Sequence, residues 1–296
     1  MTFSIIERCE YLQKVLFKYV PKFLDFTDYR LIKARVKNLE TQVEYLQNRI
    51  LYGEQIDAWY TQISKLLIPI NHNLKLERVG SHSDGGYDVP LIKNFPNSWV
   101  TIGLGYNVEF ENKMPKKGFN IYTFDHTVKT RPAKLLKNIN FFKLGWGVNS
   151  TETISLLDIM KKTQLKPNWG LKFDIEGSEW PLLYQLFDLH SHPSIIICEL
   201  HDLYWENDNL KNTHKLQTIK KIKKMYYIIS INGNNFSPEI ISRNSTMNSV
   251  IELTLIRKNL FTPKKNTKKQ SFTQYNHKNN TAGRKSIFQI RAKQKI

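Results

Sequence analysis

The stretch Gly170–Trp180, GLKFDIEGSEW, places three carboxylates within six residues at the end of an apolar run. Like charges this close repel one another, and burying them costs free energy. Ser178 can cap a following helix, and Glu179 suits the first turn of that helix. Asp174 and Glu176 have no such structural explanation, and period-2 alternation points them to one face. These two carboxylates are therefore candidates for a general base or for ligands.

Two further polar groups follow later apolar runs. Glu199 and His201 stand at the end of the run Ile195–Leu200, where alternation again points them to one face. Asn234 and Asn235 complete a Gly-Asn-Asn sequence after the run that ends at Ile231. Such a sequence needs either turn geometry or a ligand.

A glycine turn and an acidic residue precede these groups along the chain. Gly103 and Gly105 follow the run Trp99–Ile102, and glycines let the backbone turn tightly and approach a cofactor. The turn lacks a third glycine, so it fits an adenosylmethionine loop better than a pyrophosphate-binding loop. Asp125 ends the next run and is placed to accept hydrogen bonds from ribose hydroxyls. A simple strand–helix turn and a turn-capping Asp are the alternatives.

A short glycine loop comes before all of these elements. It reads Asp84-Gly85-Gly86-Tyr87 and could enter the site from outside to contact cofactor or substrate. A plain β-turn explains Asp-Gly-Gly equally well.

The elements that must position these residues alternate between strand-like and helix-like patterns. Short apolar runs cover 98–103, 119–125, 140–144, 170–175 and 195–200, and helical patterns cover 152–162, 179–189 and 210–224. Alternation of this kind predicts parallel pairing with right-handed crossovers, in a doubly wound α/β sheet. Two last runs, 225–231 and 249–256, have no helix between them and predict an antiparallel hairpin. We expect a Rossmann-like domain over 71–259, with ligands at the carboxyl ends of its strands.

The N-terminal region, residues 1–70, is predicted to be a helical extension. Apolar residues in steps of three and four indicate a coiled-coil segment over 29–52: Tyr29, Ile32, Val36, Leu39, Val43, Leu46 and Ile50. The pattern favours a homo-oligomer. A long helix folded back on its own domain is the alternative.

The net charge of +18 is concentrated at the C-terminus. From Arg257 onward the chain has twelve basic residues and no Asp or Glu. We predict that residues 260–296 form a disordered basic tail. Such a tail can hold nucleic acid or an anionic membrane surface through salt-dependent contacts, or it can act only as a solubilising end.

Composition excludes several broad classes of protein. The 296 residues are 41% hydrophobic and 12% aromatic, which is too apolar for a disordered chain. Cys9 and Cys198 are too few for a disulfide framework. Neither a signal-peptide pattern nor an apolar run of ~18 residues is present, so we expect a cytoplasmic protein.

Several of these motifs together resemble the FkbM family of methyltransferases. The likeness runs from about Leu76 to Arg257 and is carried by DGGY, LKFDIEGSEW, ICELH, INGNN and VIELTLI. It implies a class I methyltransferase fold, S-adenosyl-L-methionine as methyl donor and a hydroxyl acceptor, commonly on a sugar or a polyketide-type product. Thr101 stands where the family has an acidic residue in the first strand, and Asn232 stands where a His is expected.

Methyl transfer to a hydroxyl, combined with the positions of these residues at the strand ends, leads to a hypothesis for the role of each one. Asp174 or His201 takes the proton of the acceptor hydroxyl, with Glu176 beside them. Four residues hold hydroxyl groups of the acceptor: Glu176, Glu199, Asn234 and Asn235. The cofactor contacts Gly103, Gly105, Asp125, Asp84 and Gly85.

Other uses of the same features remain open. Asp174, Glu176, Glu199 and His201 are also suited to Mg²⁺ or Mn²⁺, which could depress the pKa of the acceptor hydroxyl. The basic tail allows an RNA-binding or RNA-methylating protein. A methyltransferase fold that works only as a scaffold is a third reading.

Overall fold

The computed structural model describes residues 26–81, 85–93, 95–115, 118–234, 237–263 and 289–290. The chain divides between Ile56 and Asp57 into two compact units. Most of the predicted tail, 264–288 and 291–296, lies outside the described residues.

A long helix, α1 (Phe26–Leu66), begins the described chain. Its backbone leaves helical geometry at Tyr52 (φ −129°, ψ 28°), one residue before the glycine that interrupts the heptad pattern. In the first unit, the heptad residues Leu39, Leu46 and Ile50 are exposed by 61%, 59% and 83%. This part of α1 therefore presents an apolar stripe on its surface.

The last turns of α1 belong to the second unit. Trp59 Nε1 donates to the carbonyl of Asn212 at 3.3 Å, and Tyr60 Oη donates to the carbonyl of Leu203 at 3.1 Å. Both side chains are buried, so these turns form part of the core of that unit.

A seven-stranded sheet organises the second unit. Its strands are β3 (Ser98–Ile102), β4 (Asn120–Phe124), β5 (Asn140–Phe142), β8 (Trp169–Phe173), β9 (Ile195–Leu200), β10 (Tyr226–Gly233) and β13 (Ile251–Arg257). They lie in the order β10-β13-β9-β8-β3-β4-β5. The five strands from β9 to β5 are parallel, whereas β13 runs antiparallel to both β9 and β10. The predicted fold class, a doubly wound parallel sheet with a terminal antiparallel hairpin, is confirmed.

The remaining elements connect and cover this sheet. The helices are α2 (Glu109–Lys113), α3 (Leu156–Thr163), α4 (Glu179–Gln185) and α5 (Asn209–Met225). Short strands form three small sheets: β1 (Leu76–Gly80) with β2 (Gly86–Pro90), β6 (Gly145–Trp146) with β7 (Thr153–Ile154), and β12 (Ser245–Asn248) with β11 (Glu239–Ile241) and β14 (Gln289–Ile290). Within the described residues, every helix lacks the combination of length and apolarity needed to cross a bilayer.

Side chains at the helix starts explain where two of these helices begin. Ser155 accepts a hydrogen bond from the amide of Asp158 and caps α3, and Asp208 accepts from the amides of Leu210 and Lys211 and caps α5. By contrast, the side chain of Ser178 makes no capping bond at α4, so the predicted cap is wrong.

The core on one face of the sheet includes the β1–β2 hairpin and α2. Trp99 on β3 is fully buried in a cluster with Tyr87, Phe110 and Met114. A Cβ atom at Gly170 on the neighbouring strand would lie 2.5 Å from the Trp99 ring, so only glycine allows this packing. The hairpin thereby lies against the sheet and brings Tyr87 close to the ends of β3 and β8.

Candidate functional site

The site lies where the strand order reverses. From β3 the chain continues to β4 and β5 on one side, and then returns to β8 and β9 on the other side. The crevice at the carboxyl ends of β3 and β8 is therefore the switch point at which open α/β sheets bind ligands. Gly103 follows β3 at this rim, and Asp174 follows β8.

The glycine turn and the carboxylate stretch are in direct contact. The amide of Asp174 donates to the carbonyl of Ile102 at 3.0 Å. Gly103 has φ +78°, and a Cβ atom there would lie 1.7 Å from the Asp174 carbonyl oxygen. Any other residue at this position would push the two stretches apart.

A cavity of about 520 Å³ opens at this rim, a size typical of small-molecule sites. It is lined by the glycine turn and by the loops that follow β4 and β8, and β2 contributes one wall. The predicted site residues that border it are Gly85, Gly103, Gly105, Asp125, Asp174 and Glu176.

Asp125 shapes the glycine turn. Its Oδ2 atom accepts hydrogen bonds from the amides of Leu104 and Gly105 at 2.8 and 2.9 Å. Its Oδ1 atom accepts from the amide and the hydroxyl of Thr127, both at 2.7 Å. Burial raises the pKa of Asp125, but these hydrogen bonds more than offset it and leave the pKa lowered. Asp125 is thus an ionised anchor for the backbone of the turn.

Asp174 faces the cavity with one oxygen held and one oxygen available. Tyr87 Oη, from the DGGY loop, donates to Asp174 Oδ2 at 3.2 Å. Asp174 Oδ1 is buried and has no hydrogen-bond partner among the described residues. Such an acceptor is costly unless a ligand or water supplies a donor. Asp84 of the same loop lies outside the described residues.

His201 is oriented by Glu179. The fully buried Glu179 carboxylate accepts from His201 Nδ1 at 3.0 Å and from the amides of Ile175 and Gly177. Burial lowers the pKa of His201, but the hydrogen bond and the charge of Glu179, with Glu199 and Asp174, raise it to about 9. The imidazole is therefore protonated at neutral pH. Glu179 has a structural role, as predicted, and it also sets the charge of His201.

Glu176 lies at the outer edge of this group. Strand β8 ends at Phe173, and Glu176 has a left-handed backbone (φ +53°), so the alternation expected from the sequence does not extend to it. Its side chain is 86% exposed, and its Oε2 atom lies 3.5 Å from His201 Nε2. It is therefore free of the burial that constrains Asp174.

Glu199 and Asn234 meet at the ends of β9 and β10. Asn234 Nδ2 donates to Glu199 Oε1. Burial raises the pKa of Glu199 well above its usual value, and the negative charge of Asp174 raises it further. The predicted substrate residues Glu199 and Asn234 are thus in contact, whereas Asn235 lies outside the described residues.

A metal centre fits this arrangement poorly. One group of potential ligand atoms in the described chain lies within 4.8 Å: Asp174, Glu179 and His201. This group contains Glu179 in place of the expected Glu176 and Glu199. Both oxygens of Glu179 already accept backbone hydrogen bonds, and His201 Nδ1 is bound to one of them. Hydrogen bonding therefore accounts for the cluster without an ion.

Four positions of the candidate site are not predicted from the sequence in the place that the structure gives them. Tyr87 belongs to the DGGY motif, in which the glycines and the Asp carry the prediction. Lys172 shares the LKFDIEG motif, and Glu179 was assigned only to the helix. Glu111 gave no signal, because a Glu on a short helix usually lies in solvent, whereas this one is fully buried.

Comparisons with known proteins give only low structural similarity. No family model and no curated protein matches the chain. Similar solved structures include a fibrillarin/Nop5p complex (11% identity, 64% of this chain and 100% of that chain, TM-score 0.37). A second is Aeropyrum pernix fibrillarin with natively bound S-adenosyl-L-methionine (10% identity, 64% of this chain and 86% of that chain, TM-score 0.34). A third is Burkholderia thailandensis 1,6-didemethyltoxoflavin-N1-methyltransferase (9% identity, 79% of this chain and 91% of that chain, TM-score 0.29). Because these TM-scores are below 0.5, the assignment of the fold class depends on the observed strand order and not on these neighbours.

Proposed function

We propose that this chain is an S-adenosylmethionine-dependent O-methyltransferase, related to the FkbM family, that acts on a hydroxyl of a sugar or a related natural product. The observation that carries the proposal is the contact between the glycine turn and Asp174, both of which line one cavity. The cavity lies at the switch point of a sheet with the strand order expected of class I methyltransferases.

The cofactor side of the cavity is the glycine turn. Gly103 and Gly105 expose backbone there, Asp125 holds that backbone, and Gly85 also borders the cavity. A sulfonium cofactor at this place supplies a methyl group that is activated for displacement. The turn would position that group, and positioning can supply a large part of the acceleration.

The acceptor side of the cavity is built around Asp174. In the proposed reaction an O–C bond forms as the C–S bond breaks, and the hydroxyl proton passes to Asp174 Oδ1. His201 is protonated at neutral pH, so it does not itself act as the base. We assign Glu176, Glu199, Asn234 and Asn235 to the hydroxyl groups of the acceptor.

Calorimetry and a transfer assay test the proposal together. Adenosylhomocysteine is titrated into the protein, and transfer of labelled methyl groups is measured on a panel of glycans and on RNA. We expect 1:1 binding of adenosylhomocysteine and labelling of a glycan hydroxyl. Folded protein that binds no adenosylhomocysteine would contradict the enzyme reading, and labelling of RNA alone would contradict the acceptor class.

We further propose that the exposed apolar stripe of α1 forms a coiled coil with a second copy of the chain. Leu39, Leu46 and Ile50 are exposed at heptad spacing, which is unfavourable in an isolated chain. Sedimentation of the wild type should give an oligomer that Leu46→Glu dissociates. A wild type that stays monomeric at high concentration would contradict this assembly.

A further inference from the structure

A buried ion pair lies next to the glycine turn and borders the cavity. Lys172 on β8 and Glu111 on α2 are 4% and 0% exposed, and both border the cavity. Lys172 Nζ lies 3.7 Å from Glu111 Oε1 and donates to the Gly103 carbonyl at 3.1 Å. Lys172 therefore connects Glu111 to the backbone of the turn.

The pair is open. A closed charge-assisted hydrogen bond between such groups measures about 2.7–2.9 Å, so the two charges are not in contact. Neither oxygen of Glu111 makes a well-formed hydrogen bond in the part of the chain that the structure describes, although the Thr101 hydroxyl lies close to this carboxyl. Burial raises the pKa of Glu111, although the charge of Lys172 and the hydrogen-bonding groups near it, Thr101 included, lower it. A buried carboxylate that lacks good hydrogen-bond donors destabilises the fold unless a ligand supplies those donors.

Glu111 supplies a charge that the first strand lacks. The register of the sheet sets Thr101 directly beside Lys172, so a carboxylate at residue 101 would have been the natural partner of that lysine. Thr101 Oγ1 is itself buried without a well-formed hydrogen bond among the described residues, although it lies close enough to Glu111 to lower the pKa of that carboxyl. The carboxylate comes instead from α2, one helical element further along the chain.

We propose that Glu111 and Lys172 form the subsite for the α-amino acid end of the cofactor. Glu111 accepts hydrogen bonds from the α-ammonium group, and Lys172 donates to the α-carboxylate. The open pair offers one charge of each sign about as far apart as the charges of an amino acid. This inference rests on the proposed function, because it assigns a binding role within the same cavity.

The affinities of two ligands distinguish a binding role of Glu111 from a role in folding alone. Adenosylhomocysteine carries the amino acid end, whereas 5′-methylthioadenosine lacks it. We expect Glu111→Gln to weaken adenosylhomocysteine at least tenfold and to leave 5′-methylthioadenosine within about twofold. Glu109→Gln, the same change at an exposed position of α2, is the matched control and should alter neither affinity. Equal weakening of both ligands, or no weakening, would overturn the subsite.

The wild type gives a second test that does not depend on a variant that folds. An N-acetylated adenosylhomocysteine lacks the ammonium charge, and S-adenosyl-3-thiopropylamine lacks the carboxylate. Each should bind the wild type at least tenfold more weakly than adenosylhomocysteine does. Equal affinities would overturn the subsite alone, whereas a folded wild type that binds none of these nucleosides would overturn the proposed function as well.

Discussion

The two sides of the cavity differ in how their polar groups are satisfied. On the cofactor side, Asp125 accepts four hydrogen bonds and Gly103 is in contact with the backbone of Asp174. On the proposed acceptor side, Asp174 Oδ1 has no hydrogen-bond partner in the described chain. Glu199 and His201, whose pKa values are both raised, lie near Asp174 but are not among the residues that line the cavity. The hydrogen bonds on the first side fix the conformation of the glycine turn, whereas the second side has ionisable groups with perturbed pKa values that could take part in a reaction.

The largest effect should come from Asp174. We expect Asp174→Asn to lower turnover about 10²–10⁴-fold, because the amide cannot accept the hydroxyl proton. Adenosylhomocysteine should bind this variant as it binds the wild type, since the glycine turn is unchanged. Full turnover in a variant that binds adenosylhomocysteine would remove Asp174 as the base.

Asp125 should show the opposite pattern. Asp125→Ala removes four hydrogen bonds to the backbone and side chain around the turn, so we expect adenosylhomocysteine affinity to fall about tenfold or more. The free energy of unfolding should also fall by about 2 kcal/mol, measured by urea denaturation. A variant with unchanged stability and weaker binding would mean that Asp125 contacts the cofactor without shaping the turn.

The charge of His201 should appear in the pH profile of kcat. Its pKa is raised to about 9, so the positive charge beside the carboxylates of Glu179 and Asp174 persists below that pH and is lost as the pH rises through it. We expect an alkaline limb near pH 9. Glu179→Gln should move this limb to lower pH, because it removes the charge that raises the pKa. A limb that does not move would contradict the coupling of these two residues.

Smaller effects should come from Glu176 and from metal chelation. Glu176 is 86% exposed, so Glu176→Gln should raise KM by only about twofold to fivefold at constant kcat.

Excess EDTA should leave the rate unchanged, because the oxygens of Glu179 are already hydrogen-bonded. Activity that EDTA abolishes and Mg²⁺ restores would show a metal-dependent acceptor side.

The sequence predicted the sheet well, because strand ends and side-chain alternation are local properties. Strand β9, for instance, covers the predicted residues Ile195–Leu200, and the hairpin without a helix closes the sheet as expected. Helix ends were less accurate: the pattern predicted over 152–162 begins as a helix only at Leu156, where Ser155 caps it. A local cap decides such an end more than the apolar period does.

The site was predicted only in part, because contacts between distant segments have no local pattern. Asp174 could be found from its unusual carboxylate neighbours. The partners of Lys172 and Glu179 could not, because Glu111 and His201 reach them only through the fold. Glu176 shows the converse error, since alternation was extended beyond the end of the strand.

A crystal structure with adenosylhomocysteine bound tests the central claim most directly. We predict that the ligand lies over Gly103 and Gly105, with its sulfur atom directed towards Asp174 Oδ1 and its amino acid end towards Glu111. A ligand bound at any other surface, or one whose sulfur atom points away from Asp174, would contradict the account.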